Sequence, residues 1–474
     1  MSLAVFETTT RQAAREGRLE QGVIGEGVMI PGLFGDVPMV YADYVASGRA
    51  MRQVEDFVTE KVLPFYANSH TEASYCGAYI TRMRQQARSV IARLCGAMEE
   101  DTVIFTGSGA TAGLNRLVNL MGIEEADQPV VFIGPYEHHS NILPWRESKA
   151  KVVEIPEDAA GGPDLAALQA ALLAHKDSDL KIGSFSAASN VTGIVTDPDP
   201  VSRMLHDHGA RAVWDYAGGG PYLPIDMGGK GAARKDAVVV SPHKFPGGPG
   251  ATGVLIVNSA VVQRRCPSWP GGGTVSFVSP WDHEYSANLA AREEAGTPNV
   301  IGDIRAALAF LVKDAMGEAE IASREEKYAA MARAAWGDNP QLEILGHASA
   351  QRLPIFSFMV KGVSGRPVHQ QLFTRMLSDV YGIQARGGCA CAGPYAHRLL
   401  GIERAESDQL FAELKAGEEM KKPGWVRLNF AYMMDEKTVR YILGSVAELA
   451  LRAEDLAARY EVDEPTARFK AKAA

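Results

Sequence analysis

Asp236-Ala-Val-Val-Val-Ser-Pro-His-Lys-Phe-Pro-Gly-Gly-Pro-Gly250 is the stretch on which the fold turns. Ala237–Val240 is an unbroken run of alanine and β-branched valine, as expected of a strand buried on both faces. The proline- and glycine-rich segment after it cannot continue as a helix. Lys244 is therefore expected at the carboxyl edge of a sheet, where open α/β folds bind ligands. On this stretch alone, Lys244 is either a reactive amine or an ordinary loop lysine.

Upstream, short apolar runs alternate with amphipathic segments. Strands are predicted at Thr102–Phe105, Pro129–Ile133, Lys151–Ile155, Leu180–Phe185, Ala210–Trp214, Ala237–Val240 and Gly253–Val257, with helices at Asp164–His175 and Pro200–His208. This alternation predicts an α/β domain whose mainly parallel sheet is covered by helices on both faces. After Gly317 the pattern becomes α+β. A long charged helix leads to strands near Leu342–Leu345 and Leu353–Val360, a helix at Pro367–Tyr381, a strand at Trp425–Phe430 and a closing helix from Asp435 to about Tyr460. The expected division is an N-terminal arm over 1–44 joining the small domain, a large domain over 45–316 and a small domain over 317–474. The tail Arg468–Ala474 is expected to fray.

With 474 residues, two domains are the natural expectation. A net charge of −9 argues against nucleic acid or an anionic membrane as principal partner. No apolar run approaches the roughly 20 residues of a membrane helix. Met1–Thr8 lacks the marks of a secretory signal. Five scattered cysteines make no disulfide framework, so a cytoplasmic, reducing setting is expected.

The chemistry-bearing residues follow the strands. Thr106-Gly-Ser-Gly-Ala-Thr-Ala-Gly113 joins a strand to a helix, a turn that either gathers backbone N–H groups around an anion or is simply tight. Asp215 closes a strand 29 positions before Lys244 and either pairs with a cationic ring nitrogen or caps the next turn. A strand-end lysine and an aspartate on an earlier strand end suit pyridoxal phosphate, which takes a Schiff-base lysine and an anionic partner for its pyridine nitrogen. In Glu137-His-His-Ser-Asn141, a histidine at the strand end can stack on a planar ring and move protons near neutral pH; metal ligation is the alternative, but no metal-type spacing accompanies the pair. Arg386-Gly-Gly-Cys-Ala-Cys391 reads as a mobile loop with two accessible thiols beside an arginine that can stabilise a thiolate; inert cysteines, or half of a metal site, are the alternatives, though no other Cys or His clusters with them. Arg427 offers a bidentate clamp for a carboxylate, or an edge salt bridge.

In this order the motifs resemble the class V aminotransferases, and within them the group II cysteine desulfurase and selenocysteine lyase branch. The stretches that carry the resemblance are Glu137–Trp145, Ser189-Asn-Val-Thr-Gly193, Ser241–Lys244, Glu294-Ala-Gly-Thr-Pro-Asn299, the Arg386–Ala392 loop and Arg427–Tyr432. It spans about Tyr41 to Ala450. The resemblance implies a fold-type I pyridoxal phosphate enzyme with a seven-stranded large-domain sheet, acting as a homodimer with shared sites. By motif match, Lys244 is the Schiff-base lysine, His138 stacks on the ring, Asp215 pairs with its nitrogen, and Asn190 lies near its oxygen or the substrate. Ala110, Thr111, Ser241 and His243 match phosphate-binding positions, and Thr297 one contributed by the neighbouring subunit. Arg427 matches the carboxylate anchor and Cys391 the sulfur acceptor. An amino acid is the implied substrate, and a sulfur-acceptor protein a possible partner.

Three positions depart from the family pattern. Asp215-Tyr-Ala-Gly218 lacks the glutamine that contacts the ring hydroxyl, Ala110-Thr111 replaces a Thr-Thr pair, and Cys389-Ala-Cys391 replaces a histidine pair before the thiol. The expected activity is removal of sulfur or selenium from a cysteine-type substrate through a Cys391 persulfide. The alternatives are transamination, epimerisation or elimination on another amino acid without a thiol nucleophile, and a non-catalytic scaffold.

Overall fold

The structure, a computed structural model, describes residues 3–69 and 72–472. It divides into two compact units, Met1–Ile24 with Ser47–Ala188 and Thr196–Glu320, and Gly25–Ala46 with Ser189–Val195 and Ile321–Ala474.

The larger unit is built on seven strands: β1 (Asp101–Gly107), β2 (Pro129–Ile133), β3 (Lys151–Glu154), β4 (Leu180–Ser186), β5 (Arg211–Asp215), β6 (Ala237–Val240) and β7 (Gly253–Asn258). Their order is β1-β7-β6-β5-β4-β2-β3, and only β7 runs antiparallel to its neighbours. Every residue of β2, β6 and β7 is buried, which explains the continuous apolar runs in the sequence. Its longer helices are α1 (Leu3–Arg15), α2 (Tyr75–Leu94), α3 (Gly109–Leu120), α4 (Leu165–Ala174), α5 (Pro198–Asp207) and α6 (Val300–Met316). One core lies between α3 and the sheet, where Leu114 and Leu117 meet Val131, Val239 and Leu255. A hairpin, β8 (Val275–Val278) with β9 (His283–Tyr285), is also present, and its alternation is too short to have been read from sequence.

The smaller unit contains α7 (Glu318–Trp336), which begins at the boundary between the units, then β10 (Leu342–Ile344), β11 (Ile355–Lys361), α8 (Gln370–Tyr381), β12 (Arg386–Gly388), α9 (Gly393–Leu400), β13 (Trp425–Asn429), α10 (Glu436–Ala457), β14 (Tyr460–Asp463) and β15 (Arg468–Ala471). Its sheet runs β10-β11-β13-β12, and Pro367–Val368 adds to β11. Trp336, Phe356, Phe358, Phe373 and Phe430 fill the core.

Several expectations are corrected. Residues up to Ile24 group with the large unit. Leu3, Phe6, Thr10 and Ala13 form a buried stripe at helical spacing, and Arg11 pairs with Asp314 of α6 at 2.8 Å. Only Gly25–Ala46 joins the small unit. Ser189–Val195 does so as well, because Gly193 O accepts from Leu353 N–H at 2.9 Å and Val191 O from the Ser357 hydroxyl at 2.7 Å. The tail is ordered up to Lys472: β15 pairs with β14, with Phe469 and Ala471 packed against the core. Ala473 and Ala474, also expected to fray, lie outside the described residues. The helix predicted from Pro367 starts at Gln370, since His369 Nδ1 accepts from Gln371 N–H and caps it there.

Candidate active site

In the large unit, parallel strands deliver their polar residues to one sheet edge. β2 leads to His138, β5 ends on Asp215 and β6 leads to Lys244. Lys244 sits on a short 3-10 turn, Pro242–Lys244, and is half-buried. The turn is pinned because Gly48 N–H donates to His243 O at 2.9 Å and the Ser47 hydroxyl to the same oxygen at 3.3 Å. A Cβ on Gly48 would meet Phe245 O at 1.9 Å, so no larger residue fits there.

The turn over 106–113 is tightly packed. Gly109 opens α3 with φ +62°, and a Cβ there would meet Ser241 Oγ at 2.9 Å and His243 Cε1 at 3.0 Å. Ala110 N–H donates to Ser241 Oγ at 2.9 Å, and Thr111 Oγ1 lies 2.6 Å from Ser140 Oγ. The positive end of a twelve-residue helix thus meets Ser241 and His243. Burial and the Lys244 charge push the His243 imidazole down to about 4, so it is neutral at pH 7.

Asp215 is 3% exposed. Its Oδ1 accepts from Ala217 N–H at 2.7 Å, so the turn-capping role is filled. Burial still raises its pKa, opposed by the Ala217 hydrogen bond and by Lys244. A carboxyl group with an uncompensated desolvation cost is suited to a cationic ring nitrogen. Together with Ser241 and His243 at the start of α3, this makes the residues present a fit for pyridoxal phosphate.

His138 Nδ1 accepts from Ser140 N–H at 3.1 Å, which assigns the ring proton of the neutral form to Nε2. The rest of that motif has a structural task that the sequence did not reveal. Glu137, fully buried, accepts from Ser186 N–H at 2.9 Å, from the Ser186 hydroxyl at 2.5 Å and from Asn141 Nδ2 at 2.6 Å. Asn141 Oδ1 in turn accepts from Trp145 Nε1 at 3.0 Å. The network holds the His138 loop against β4. Glu294 accepts from Arg88 and Arg84 and from Phe105 N–H at 2.8 Å, and Asn299 caps α6. Between these anchors Thr297 is exposed.

The small unit holds the remaining candidates. Arg427, on β13, is buried on an interior strand; the edge position considered from sequence does not hold. Its Nη1 donates to Asn190 O at 3.0 Å and its Nη2 to Asp43 Oδ1 at 2.9 Å. Arg386 lies opposite Arg427 in the β12–β13 register and donates from Nε to Asp43 Oδ2 at 2.9 Å. Asn190 Nδ2 donates to Ala390 O at 2.8 Å. Part of the loop read as mobile is therefore strand β12. The remainder is a turn closed by Ala392 N–H to Cys389 O at 3.2 Å, with Ala390 and Cys391 both left-handed at φ +54° and +56°. Cys391 is exposed and Cys389 half-buried, and neither is in a disulfide. Asp43, which joins both arginines, was not singled out from sequence. Tyr41-Ala-Asp-Tyr44 reads only as the start of the compact region, and the pairing with two distant arginines reveals it.

Among the described residues no three His, Cys, Asp or Glu side chains gather as a metal site, and no helix is long and apolar enough to cross a membrane.

The mainly parallel sheet with a lysine, an aspartate and the start of a helix at one edge defines a fold-type I pyridoxal phosphate enzyme. A cysteine desulfurase from Thermococcus onnurineus shares the fold, with a TM-score of 0.73 at 23% identity over 87% of this chain and 94% of that one. The chain belongs to the class-V aminotransferase family, whose profile matches residues 40–442. It is 30% identical to a probable cysteine desulfurase of Vibrio cholerae over 75% of this chain and 85% of that one. It is also 29% identical to a cysteine desulfurase of Escherichia coli, over 76% and 85%.

Proposed function

We propose that this enzyme removes sulfur, or selenium, from L-cysteine-type substrates, with Cys391 as the acceptor. The observation that carries the reading is a hydrogen-bonded chain in the small unit. Arg427 holds Asn190 through its carbonyl, and Asn190 holds the Cys391 turn through Ala390 O. An anchor for the substrate carboxylate and an exposed thiol are thereby fixed to one another.

Ala110, Thr111, Ser241 and His243 would hold the phosphate of pyridoxal phosphate, His138 and Asp215 its ring, and Lys244 its aldehyde carbon. When bound, the cofactor supplies an electron sink next to the substrate Cα. Arg427 orients the substrate by its carboxylate, and Lys244 takes the Cα proton and can return it. The Cys391 thiolate attacks the substrate sulfur, the S–Cβ bond breaks with its electron pair left on Cβ, Cβ takes up a proton, and the sulfur remains as a Cys391 persulfide while alanine leaves. A sulfur-acceptor protein would then relieve the persulfide. We read the functional form as a homodimer in which Thr297, exposed on its anchored loop, completes the neighbour's phosphate site.

The test mixes the pyridoxal phosphate-loaded protein with L-cysteine and measures alanine and persulfide. One alanine per sulfur is expected. Cys391→Ser should retain the cofactor absorbance and lose alanine formation by about 100-fold or more. Full activity of Cys391→Ser on another amino acid would establish a transaminase, epimerase or lyase instead.

A further inference from the structure

Arg386 and Arg427 stand directly opposite one another on neighbouring strands, an arrangement that repels unless a counter-charge intervenes. Asp43 is that counter-charge. Its two oxygens separate, Oδ1 to Arg427 Nη2 and Oδ2 to Arg386 Nε, each at 2.9 Å. One carboxylate thus bridges two guanidinium groups and leaves the cluster with a single net positive charge. Arg427 is 3% exposed and Asn190 8%. Each nonetheless keeps a buried polar atom without a hydrogen-bond partner among the described residues, the donor Nε of Arg427 and the acceptor Oδ1 of Asn190. Such orphans cost free energy in the folded chain, and a carboxylate reaching Arg427 Nε or an N–H reaching Asn190 Oδ1 would relieve them.

We propose that Asp43 sets the substrate class of this site: it is a resident carboxylate that reduces two arginines to one unit of positive charge, so that the site takes a monocarboxylate amino acid and rejects substrates with a second anionic group. The inference rests on Arg427 as the carboxylate anchor. A monocarboxylate neutralises the cluster, whereas a second anion would have to be desolvated without a partner. With Asp43 uncharged, the cluster carries two positive charges and a dianion becomes the better match.

The experiment measures the affinities of propionate and succinate for the loaded enzyme by titrating its thermal unfolding midpoint, which requires no turnover. Wild type is expected to favour propionate. Asp43→Asn keeps an oxygen acceptor but removes the charge, and should raise the succinate-to-propionate affinity ratio by about tenfold or more, with salt reducing the gain. Asp43→Glu restores the charge and should return the ratio toward wild type. An unchanged ratio in Asp43→Asn, or a ratio in Asp43→Glu equal to that of Asp43→Asn, overturns the proposal. Failure of wild type to bind either acid overturns it together with the anchor role of Arg427. Inertness toward cysteine combined with the expected shift would instead refute desulfuration and leave Asp43 as the selector.

Discussion

Glu137 shows how a residue beside a reactive one can be engaged in support. Burial pushes its carboxyl up to about 7, although Ser186 and Asn141 donate to it and favour the charged form. Its pKa in the unfolded chain is near the ordinary 4.5, so between these values the native state binds the extra proton. The Glu137 contribution is therefore fully present below about pH 4.5 and is lost as pH rises through about 7. The difference in unfolding free energy between wild type and Glu137→Gln should shift against wild type by about 2–3 kcal/mol from pH 4.5 to 8. Urea denaturation of both proteins at the two pH values measures it, and a constant difference would mean that Glu137 is ionised throughout.

At the scale of elements, the turn between β1 and α3 depends on Gly109. Its φ of +62° and the 2.9 Å approach of Ser241 Oγ to a built Cβ leave no room for a side chain. Gly109→Ala should destabilise the protein by about 1–3 kcal/mol and weaken cofactor retention about tenfold or more, because it combines a positive φ with contact on Ser241 and His243; Ala at Gly107 would carry only the backbone strain of φ +84°. Thermal unfolding and the cofactor fraction retained through gel filtration report the two effects. The same turn marks how far the sequence could be read. Continuous apolar runs such as Val238–Val240 located the strands to within about a residue or two, because burial on both faces leaves little else to encode. The placement of Lys244, Asp215 and His138 at one sheet edge was legible because strand ends deliver side chains to a known edge. Asp43 was not, since its meaning lies in arginines more than 340 positions away in the chain. The membership of Ser189–Val195 was hidden for the same reason: backbone carbonyls decide it, and they leave no mark on residue type.

For the whole molecule, the decisive question is whether a site draws on two chains. Thr297 is exposed although Glu294 and Asn299 on either side are fixed, Glu294 by two arginines and a backbone amide and Asn299 by its cap on α6. A loop so anchored, with Thr297 exposed, presents that residue outward. If Thr297 completes the neighbour's phosphate site, a closed symmetric dimer requires each site to combine Lys244 of one chain with Thr297 of the other. Lys244→Ala and Thr297→Asp homodimers should then each be nearly inactive, the first without its reactive amine and the second with a negative charge against the phosphate. Refolded together in equal amounts, they form mixed dimers in which one site has Lys244 and Thr297 both intact. Half of the dimers would be mixed and each would hold one good site, so activity should recover to about a quarter of the wild-type value. Alanine formation from cysteine, with sedimentation velocity to verify the dimer, measures this. Restoration no greater than the sum of the two separate variants would place Thr297 in the same site as the Lys244 of its own chain.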